Sequence, residues 1–181
     1  GCKSLKQIEL PTGVKSIDSY AFSGCANLTW IGLPEGITDI GEGAFYNCKS
    51  LKQIEIPEGV TSIVYSTFFC CENLTAVSLP ESLTSIDDGP FTNCYNLKYI
   101  IIYAKDGLTS IKQTFPKNAT FYCWEYYYAE SWARENGYTV KLLDEMLDAD
   151  GNIDWSTEEK SAYLELTHKL CLGDVEQLAY S

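Results

Sequence analysis

Residues 25–47 read CANLTWIGLPEGITDIGEGAFYN, and this pattern recurs through the first half of the chain at a spacing of 23 residues. Each copy begins with a cysteine, which is followed at fixed offsets by a leucine and two further aliphatic residues. The cysteines are Cys2, Cys25, Cys48, Cys71 and Cys94. Four copies continue with a proline, two more aliphatic residues and a phenylalanine, namely Phe22, Phe45, Phe68 and Phe91. A period of about 20 to 50 residues indicates a solenoid, in which each repeat buries its apolar face against its neighbours.

Within one repeat, the segment Leu-x-x-Ile-x-Leu-Pro predicts a strand that ends in a turn. Its last two aliphatic residues are two positions apart, and side chains at that spacing lie on the same side of a strand. The proline ends the strand because it has no N–H to donate to a ladder. A second extended stretch, such as 59–63, is expected to return along the opposite side of the coil, and a loop such as 41–48 closes it. We therefore predict stacked coils with parallel ladders of strands.

These residues resemble the BspA-like bacterial leucine-rich repeat family. The resemblance rests on the cysteine, leucine, isoleucine, Leu-Pro, Gly-Val, Ser-Ile and Ala-Phe positions of residues 25–45 and their copies, and it covers residues 2 to about 115. It implies an α/β solenoid, a right-handed leucine-rich-repeat coil with short parallel strands and few helices in the repeats. It also implies a non-enzymatic bacterial surface or secreted protein that acts in adhesion or contacts proteins and glycans.

Three regions are predicted along the chain. Residues 1–115 form the repeat array, with four full copies and a degraded fifth in which Tyr103 replaces the proline. Residues 116–143 form a C-terminal cap, and residues 144–181 form an acidic tail with one amphipathic helix over 157–171. The cap is predicted to contain a strand over 118–123, a helix over 125–136 that is ended by Gly137, and a strand over 138–143.

The charge of the chain argues against several kinds of partner. The formal net charge is −12. The tail carries −8 of this, because its ten acidic residues face only Lys160 and Lys169. Nucleic acid and anionic lipid would be repelled, and no basic stripe would attract them. No apolar run approaches the roughly 18 residues that a bilayer requires, so we expect no membrane insertion.

The periodic cysteines are interpreted as buried, reduced thiols. Each has leucine companions at fixed offsets, and a buried thiol behaves as a small hydrophobic group. An odd ladder of five cannot pair completely, and a row does not converge on one zinc ion. Cys70 lies beside Cys71 at a turn, where a vicinal disulfide or an accessible thiol stays open as an alternative. We expect no cofactor.

Two features of the sequence bear on catalysis and on metal binding. His168 is the single histidine and no phosphate-binding loop is present, so we predict no catalytic residues and no enzyme. Asp148, Asp150 and Asp154 surround a glycine as in an EF-hand or dockerin loop. Met146 and Thr157 stand where the first and last ligands should be, however. An ordinary acidic turn is therefore favoured, and a calcium-binding dockerin-like tail is the alternative.

The most informative functional prediction concerns the outer face of the main strands. If the isoleucine of each strand points inward, the residues on either side of it point outward. The candidate binding residues on this face are Gln7, Glu9, Trp30, Gln53, Glu55, Tyr99 and Ile101. Exposed aromatic side chains supply much of the energy of protein interfaces. The competing hypothesis is a structural spacer with an inert surface.

The first repeat begins at its cysteine, without a capping element on that side. Terminal repeats of solenoids usually carry a polar outer face. We therefore expect a longer parent chain with a signal peptide upstream, and an extracellular or cell-surface location. An open first coil could also stack end to end on another copy.

Overall fold

The computed structural model describes residues 1–113, 115–148, 150, 152 and 153. Backbone contacts divide the chain into two compact units, Gly1–Leu142 and Leu143–Ser181. The finer division into array, cap and tail stays a prediction. The predicted tail helix over 157–171 lies outside the described residues.

The first unit is a solenoid of short strands with about six turns. Its main strands are β1 (Gln7–Glu9), β3 (Trp30–Gly32), β5 (Gln53–Glu55), β7 (Ala76–Leu79), β9 (Tyr99–Ile102) and β11 (Thr120–Cys123). Its return strands are β2 (Ser16–Ile17), β4 (Asp39–Ile40), β6 (Ser62–Ile63), β8 (Ser85–Ile86) and β10 (Ser110–Ile111). One helix, α1 (Tyr128–Glu135), and one further strand, β12 (Thr139–Leu142), complete this unit. In the second unit, Asp144–Met146 form a 3-10 turn.

All strand pairs of the first unit are parallel, and their register follows the 23-residue period. Gln7 lies opposite Trp30, and Ala76 lies opposite Tyr99. The main strands form one sheet in the order β12-β11-β9-β7-β5 and a separate pair, β1-β3. The return strands likewise form β10-β8-β6 and the pair β2-β4. Both ladders are thus interrupted between the second and third coils. The predicted parallel solenoid is confirmed.

A stack of phenylalanine rings runs through the core. Phe22, Phe45, Phe68 and Phe91 stack with ring centroids 5.3 to 5.5 Å apart and planes within 6° of parallel. Phe115 continues the stack at 5.5 Å but is tilted by 34°. Its ring then meets Phe121, Trp132 and Tyr138 edge to face. The buried phenylalanine row was predicted from the period, and it ends in this aromatic cluster.

The end of the solenoid differs in detail from the prediction. Strand β11 pairs in register with β9, with Phe121 opposite Ile100, so the main sheet continues into the region predicted as a cap. The buried Ala129 and Ala133 then turn one face of α1 toward the core. Gly137 has φ +77 and ends the helix, as predicted. Its N–H donates to the Arg134 carbonyl and the next N–H donates to the Ala133 carbonyl, which is a Schellman motif.

The periodic cysteines lie in the core, as predicted, except for the first. Cys25, Cys48, Cys71 and Cys94 are buried, whereas Cys2 is exposed. The thiols of the last three donate to carbonyl oxygens of the preceding coil at 3.1 to 3.2 Å. The pairs are Cys48 with Phe22, Cys71 with Phe45, and Cys94 with Phe68. Cysteine therefore fills space and also joins neighbouring coils.

Candidate binding surface

The open part of the predicted outer face lies on β1, β3 and β5. Gln7, Glu9 and Glu55 are exposed, and Trp30 and Gln53 are half-buried. Parallel pairing sets Gln7 beside Trp30 on the first two of these strands. Five of the seven predicted binding residues are therefore accessible on the main strands of the first three coils.

Trp30 is held against this face by a glycine on its own strand. A Cβ atom on Gly32 would lie 2.8 Å from Cη2 and 3.0 Å from Cζ2 of the indole. The same Cβ would lie 3.3 Å from Cγ of Glu9. The indole ring therefore packs against the strand because Gly32 has no side chain. A ring held in this way loses little conformational entropy when it binds a partner.

The other end of the outer face is covered. Ile101 is only 1% exposed, and Ala76, Ser78 and Tyr122 are buried beside it. The prediction that Ile101 faces solvent is wrong. The alternation of side chains along a strand determines which side a residue faces, and it does not determine whether that side is covered.

Tyr99 lies at this covered end and is half-buried. Its ring is 6.4 Å from the ring of Tyr122, and burial raises the pKa of Tyr122 to about 12. Strands β5 and β7 separate Tyr99 from Trp30, a distance of about 14 Å at normal strand spacing. The structure therefore does not bring the two predicted aromatic residues together.

The carboxylates of the open face are not equivalent. Desolvation raises the pKa of Glu55, and the nearby charge of Glu35 adds to this effect. The side chain of Glu9 lies beside Gly32, which is on the same strand as Trp30. The open face thus joins one indole ring to acidic and amide groups, which suits a polar partner with an apolar or cationic portion.

A second exposed surface was not foreseen from the sequence. The loops between return strands and main strands carry Tyr20, Tyr46, Tyr65 and Phe69, which we name the aromatic edge. Tyr20 and Tyr65 are among the most exposed large apolar side chains of the described residues, at 49% and 56%. The sequence signal was the clustering of aromatic residues in loops. Tyr46 and Phe69 share one offset in the repeat, but Tyr20 and Tyr65 occupy two other offsets, so a search for fixed offsets does not group the four residues.

The described residues of the acidic segment, Asp148, Asp150, Asn152 and Ile153, are held by local backbone contacts in the second unit. The Asp148 carboxylate accepts N–H groups of Asp150 and Asn152, both at 2.9 Å. A backbone bridge joins Leu147 to Ile153. Among the described residues, no three acidic, cysteine or histidine side chains are arranged to hold a metal ion. Asp154 lies outside those residues, and the calcium alternative stays a prediction.

The buried thiols of Cys48, Cys71 and Cys94 are not activated nucleophiles. Burial raises the pKa of Cys48 and of Cys94 to about 12 and raises that of Cys71 well above its ordinary value. These groups are protonated at neutral pH, and a thiol reacts as a nucleophile through its thiolate. His168 lies outside the described residues.

Comparison with known proteins identifies the repeats. The model of the BspA type leucine rich repeat region matches residues 1–121 in six copies. The chain belongs to the BspA-type leucine-rich repeat family. The sixth copy goes beyond the five read from the cysteine spacing, and β11 supplies a sixth main strand. Proteins of this family and fold are typically not enzymes.

The solved structures that resemble this BspA-type chain include the following two proteins. A leucine rich cell surface protein from Faecalibacterium prausnitzii is 30% identical over 61% of this chain and 32% of its own, with a TM-score of 0.52. The pneumococcal vaccine antigen PcpA is 20% identical over 76% of this chain and 41% of its own, also with a TM-score of 0.52. The second likeness shows the fold alone. The chain thus corresponds to less than half of either protein.

A search of curated proteins gave no match to the chain. Within the described part of the chain, no helix has the length and apolar character that crossing a bilayer requires.

Proposed function

We propose that this chain is a non-enzymatic binding module of a bacterial cell-surface or secreted protein, and that it contacts a protein or glycan. The support for a surface location is the likeness to a leucine rich cell surface protein. The support for a binding role is the open outer face of β1, β3 and β5, with a partly exposed tryptophan among polar side chains.

Trp30 is the anchor of the proposed contact. Its ring is held against Gly32, and Gln7 lies beside it on the neighbouring strand. Tryptophan is enriched among residues that dominate binding energy, because a large flat ring loses much water-accessible area on contact. Glu9, Gln53 and Glu55 surround the ring with hydrogen-bonding groups. Tyr99 belongs to the covered end of the sheet and is expected to contribute less.

The test measures binding to a panel of extracellular-matrix proteins and glycans by surface plasmon resonance. We expect Trp30→Ala to weaken binding at least about ten-fold, as for an interface residue worth more than 1.4 kcal/mol. Tyr99→Ala should weaken it less. The matched control is Tyr126→Ala, which removes a ring that is 86% exposed near the start of α1.

Binding that survives in the Trp30→Ala protein would show that the outer face is not the site. A wild-type protein that binds nothing on the panel would instead support the spacer hypothesis. Thermal unfolding of each variant checks that a loss of binding is not a loss of folding.

A further inference from the structure

The loops on one side of the solenoid form a regular edge with its own hydrogen-bond ladder. These loops cover residues 18–24, 41–47, 64–70 and 87–93. Each has two residues with left-handed backbone at equivalent positions: Tyr20 and Gly24, Gly43 and Asn47, Ser66 and Cys70, and Gly89 and Asn93. Loop amides donate to carbonyls of the next coil at 2.8 to 2.9 Å, from Phe22 to Ala44, from Phe45 to Thr67 and from Phe68 to Pro90. Side chains on this edge are therefore carried by an ordered backbone.

The rings of the aromatic edge lie close to one another. Tyr46 and Phe69 stack with centroids 5.1 Å apart and planes 2° from parallel. The Tyr20 ring is 6.4 Å from that of Tyr46. Tyr65 adjoins them through Gly43, which lies against the Tyr20 ring and whose N–H donates to the Tyr65 carbonyl at 3.3 Å. The four residues therefore make one continuous surface across consecutive coils.

Both exposed tyrosines rest on a glycine of the next coil. A Cβ atom on Gly43 would clash with the Tyr20 ring, and one on Gly89 would lie 3.3 Å from the Tyr65 ring. A larger residue at either position would push the ring away. The rings are thus held in place before any partner arrives, which lowers the entropy cost of binding.

Tyr20 places a bulky side chain at a loop position whose backbone is left-handed in every copy. Its φ is +61, and the equivalent positions carry Gly43, Ser66 and Gly89. A left-handed conformation costs a bulky residue about 1 kcal/mol or more, and glycine avoids this cost. The Tyr20 hydroxyl donates to a Glu42 carboxylate oxygen at 2.7 Å, and this hydrogen bond raises the pKa of Tyr20. Strain of this kind is concentrated at functional sites.

The edge is acidic as well as aromatic. The four loops carry Asp18, Glu42, Asp87 and Asp88, and their sequence contains neither lysine nor arginine. The faces of aromatic rings attract cations, and neighbouring carboxylates add to that attraction. The charge of this surface is therefore complementary to a positively charged partner.

We propose that the aromatic edge binds an arginine-rich segment of a partner protein. The planar guanidinium group stacks on tyrosine rings and pairs with carboxylates through two N–H groups, whereas a lysine ammonium group does only part of this. A neutral glycan can also stack on tyrosine, but it gains nothing from the negative charge. This site lies on a different surface from the outer face, so variants of the two surfaces fail independently.

The test uses a fluorescent nine-residue peptide of alternating glycine and arginine. The protein is titrated into this peptide at low salt, and binding is measured from the fluorescence anisotropy of the peptide. We expect binding that weakens as salt is added. Tyr65→Ser and Tyr20→Gly introduce residues found at equivalent positions, Ser19 and Gly43, so both proteins should fold. Each should bind at least about three-fold more weakly, as expected for loss of one exposed cation–π contact. Glu42→Gln should also weaken binding, and Tyr126→Ser should not.

The matched peptide with citrulline in place of arginine keeps the shape of the side chain and removes its charge. Equal affinity for the two peptides would overturn the proposal, and so would unchanged affinity of the Tyr20→Gly and Tyr65→Ser proteins. Lack of binding to the arginine peptide at 1 mM, on the order of the weakest specific contacts, would overturn it as well. Binding of a neutral oligosaccharide alone would assign the edge to glycans instead.

Discussion

The buried thiols show how single residues stabilise the stack of coils. The Phe45 carbonyl accepts the N–H of Cys48 in its own coil and the thiol of Cys71 in the next. The Phe22 carbonyl accepts the N–H of Cys25 and the thiol of Cys48 in the same way. A carbonyl oxygen has two lone pairs, so both bonds form without competition. Alanine in place of one of these buried cysteines would leave a small cavity and would remove the hydrogen bond that its thiol donates.

The buried thiols should make the protein less stable at alkaline pH. Burial raises the pKa of Cys48 and of Cys94 in the folded state from 9.0 to about 12. Below pH 9 the thiols are protonated in both states, and their contribution to stability is complete. Between pH 9 and about 12 the unfolded chain loses these protons first, so the free energy of unfolding falls. The upper bound is about 1.4 kcal/mol per pH unit for each thiol.

Urea unfolding at pH 7, 9 and 10.5 measures this effect. We expect a similar midpoint at the first two values and a clearly lower midpoint at the third. The Cys94→Ala protein should lose part of the pH dependence, although it will be less stable at every pH. A wild-type midpoint that does not change up to pH 10.5 would contradict the assigned burial.

The positions of these residues were predictable to different degrees. Cys48 was placed inside because it recurs at a fixed offset from buried leucines. Its hydrogen bond to the Phe22 carbonyl was not predictable, since the bond depends on the path of a loop in the neighbouring coil. The cover over Ile101 was not predictable either, because the strand pattern contains no information on what lies above the sheet. The path of the neighbouring coil also determines which loop side chains meet, so the aromatic edge was not predictable from the repeat pattern.

At the scale of elements, the phenylalanine stack shows how neighbouring repeats support one another. Phe68 is fully buried and stacks on Phe45 at one side and Phe91 at the other. Phe22 is half-buried and stacks on Phe45 alone among the described residues. The same residue type at the same offset therefore has a different environment inside the stack and at its end.

We expect Phe68→Ala to cost about 3 to 5 kcal/mol of unfolding free energy, as for a fully buried ring. Phe22→Ala should cost clearly less, because its ring retains contact with water. Phe68→Leu, which keeps most of the volume, should lie between wild type and Phe68→Ala. Chemical denaturation measures all three changes in the free energy of unfolding, with the same dependence on denaturant concentration used for each protein. Equal costs at positions 22 and 68 would show that ring stacking does not depend on position in the solenoid.

The helix of the first unit illustrates what sequence patterns miss at an element boundary. The pattern predicted its start at Glu125, but α1 begins at Tyr128. Tyr126 has φ +64, which interrupts a right-handed helix, and its N–H donates to the Glu130 carboxylate at 2.8 Å. Glutamate in the first helical turn often accepts a hydrogen bond from an N–H group just before the helix. The end of the helix at Gly137 was predicted because glycine at this position has a direct conformational cause.

At the scale of the whole first unit, the strand ladders divide the solenoid into two blocks. Strands β1 to β4 pair only among themselves, and the ladders resume with β5 and β6. Across this boundary the loop edge is continuous, because the Phe45 N–H donates to the Thr67 carbonyl and the Asn47 N–H to the Phe69 carbonyl. The Phe45 and Phe68 rings also stack across it at 5.3 Å. Just before the main strands, the Ser50 N–H donates to the Ala26 carbonyl at 3.2 Å and the Lys52 N–H to the Thr29 carbonyl at 3.4 Å. The first block is therefore joined to the rest through the loop edge, these two bonds and the core, but not through strand ladders.

The stability of a solenoid is roughly the sum of its repeat terms and its nearest-neighbour interface terms. A weaker interface between the second and third coils should let β1 to β4 open as one cooperative unit while β5 to β11 stay closed. We expect the amides of β1 to β4 to exchange together, at least about ten-fold faster than those of β7 and β9, which corresponds to about 1.4 kcal/mol.

Hydrogen exchange followed by mass spectrometry, on peptides that cover each coil, measures this difference. Phe45→Ala removes a ring at the boundary and should accelerate exchange in the first block more than in β9. A smooth decline of protection from the third coil to the first, without a step at the boundary, would mean that the interrupted ladders do not set a unit of unfolding.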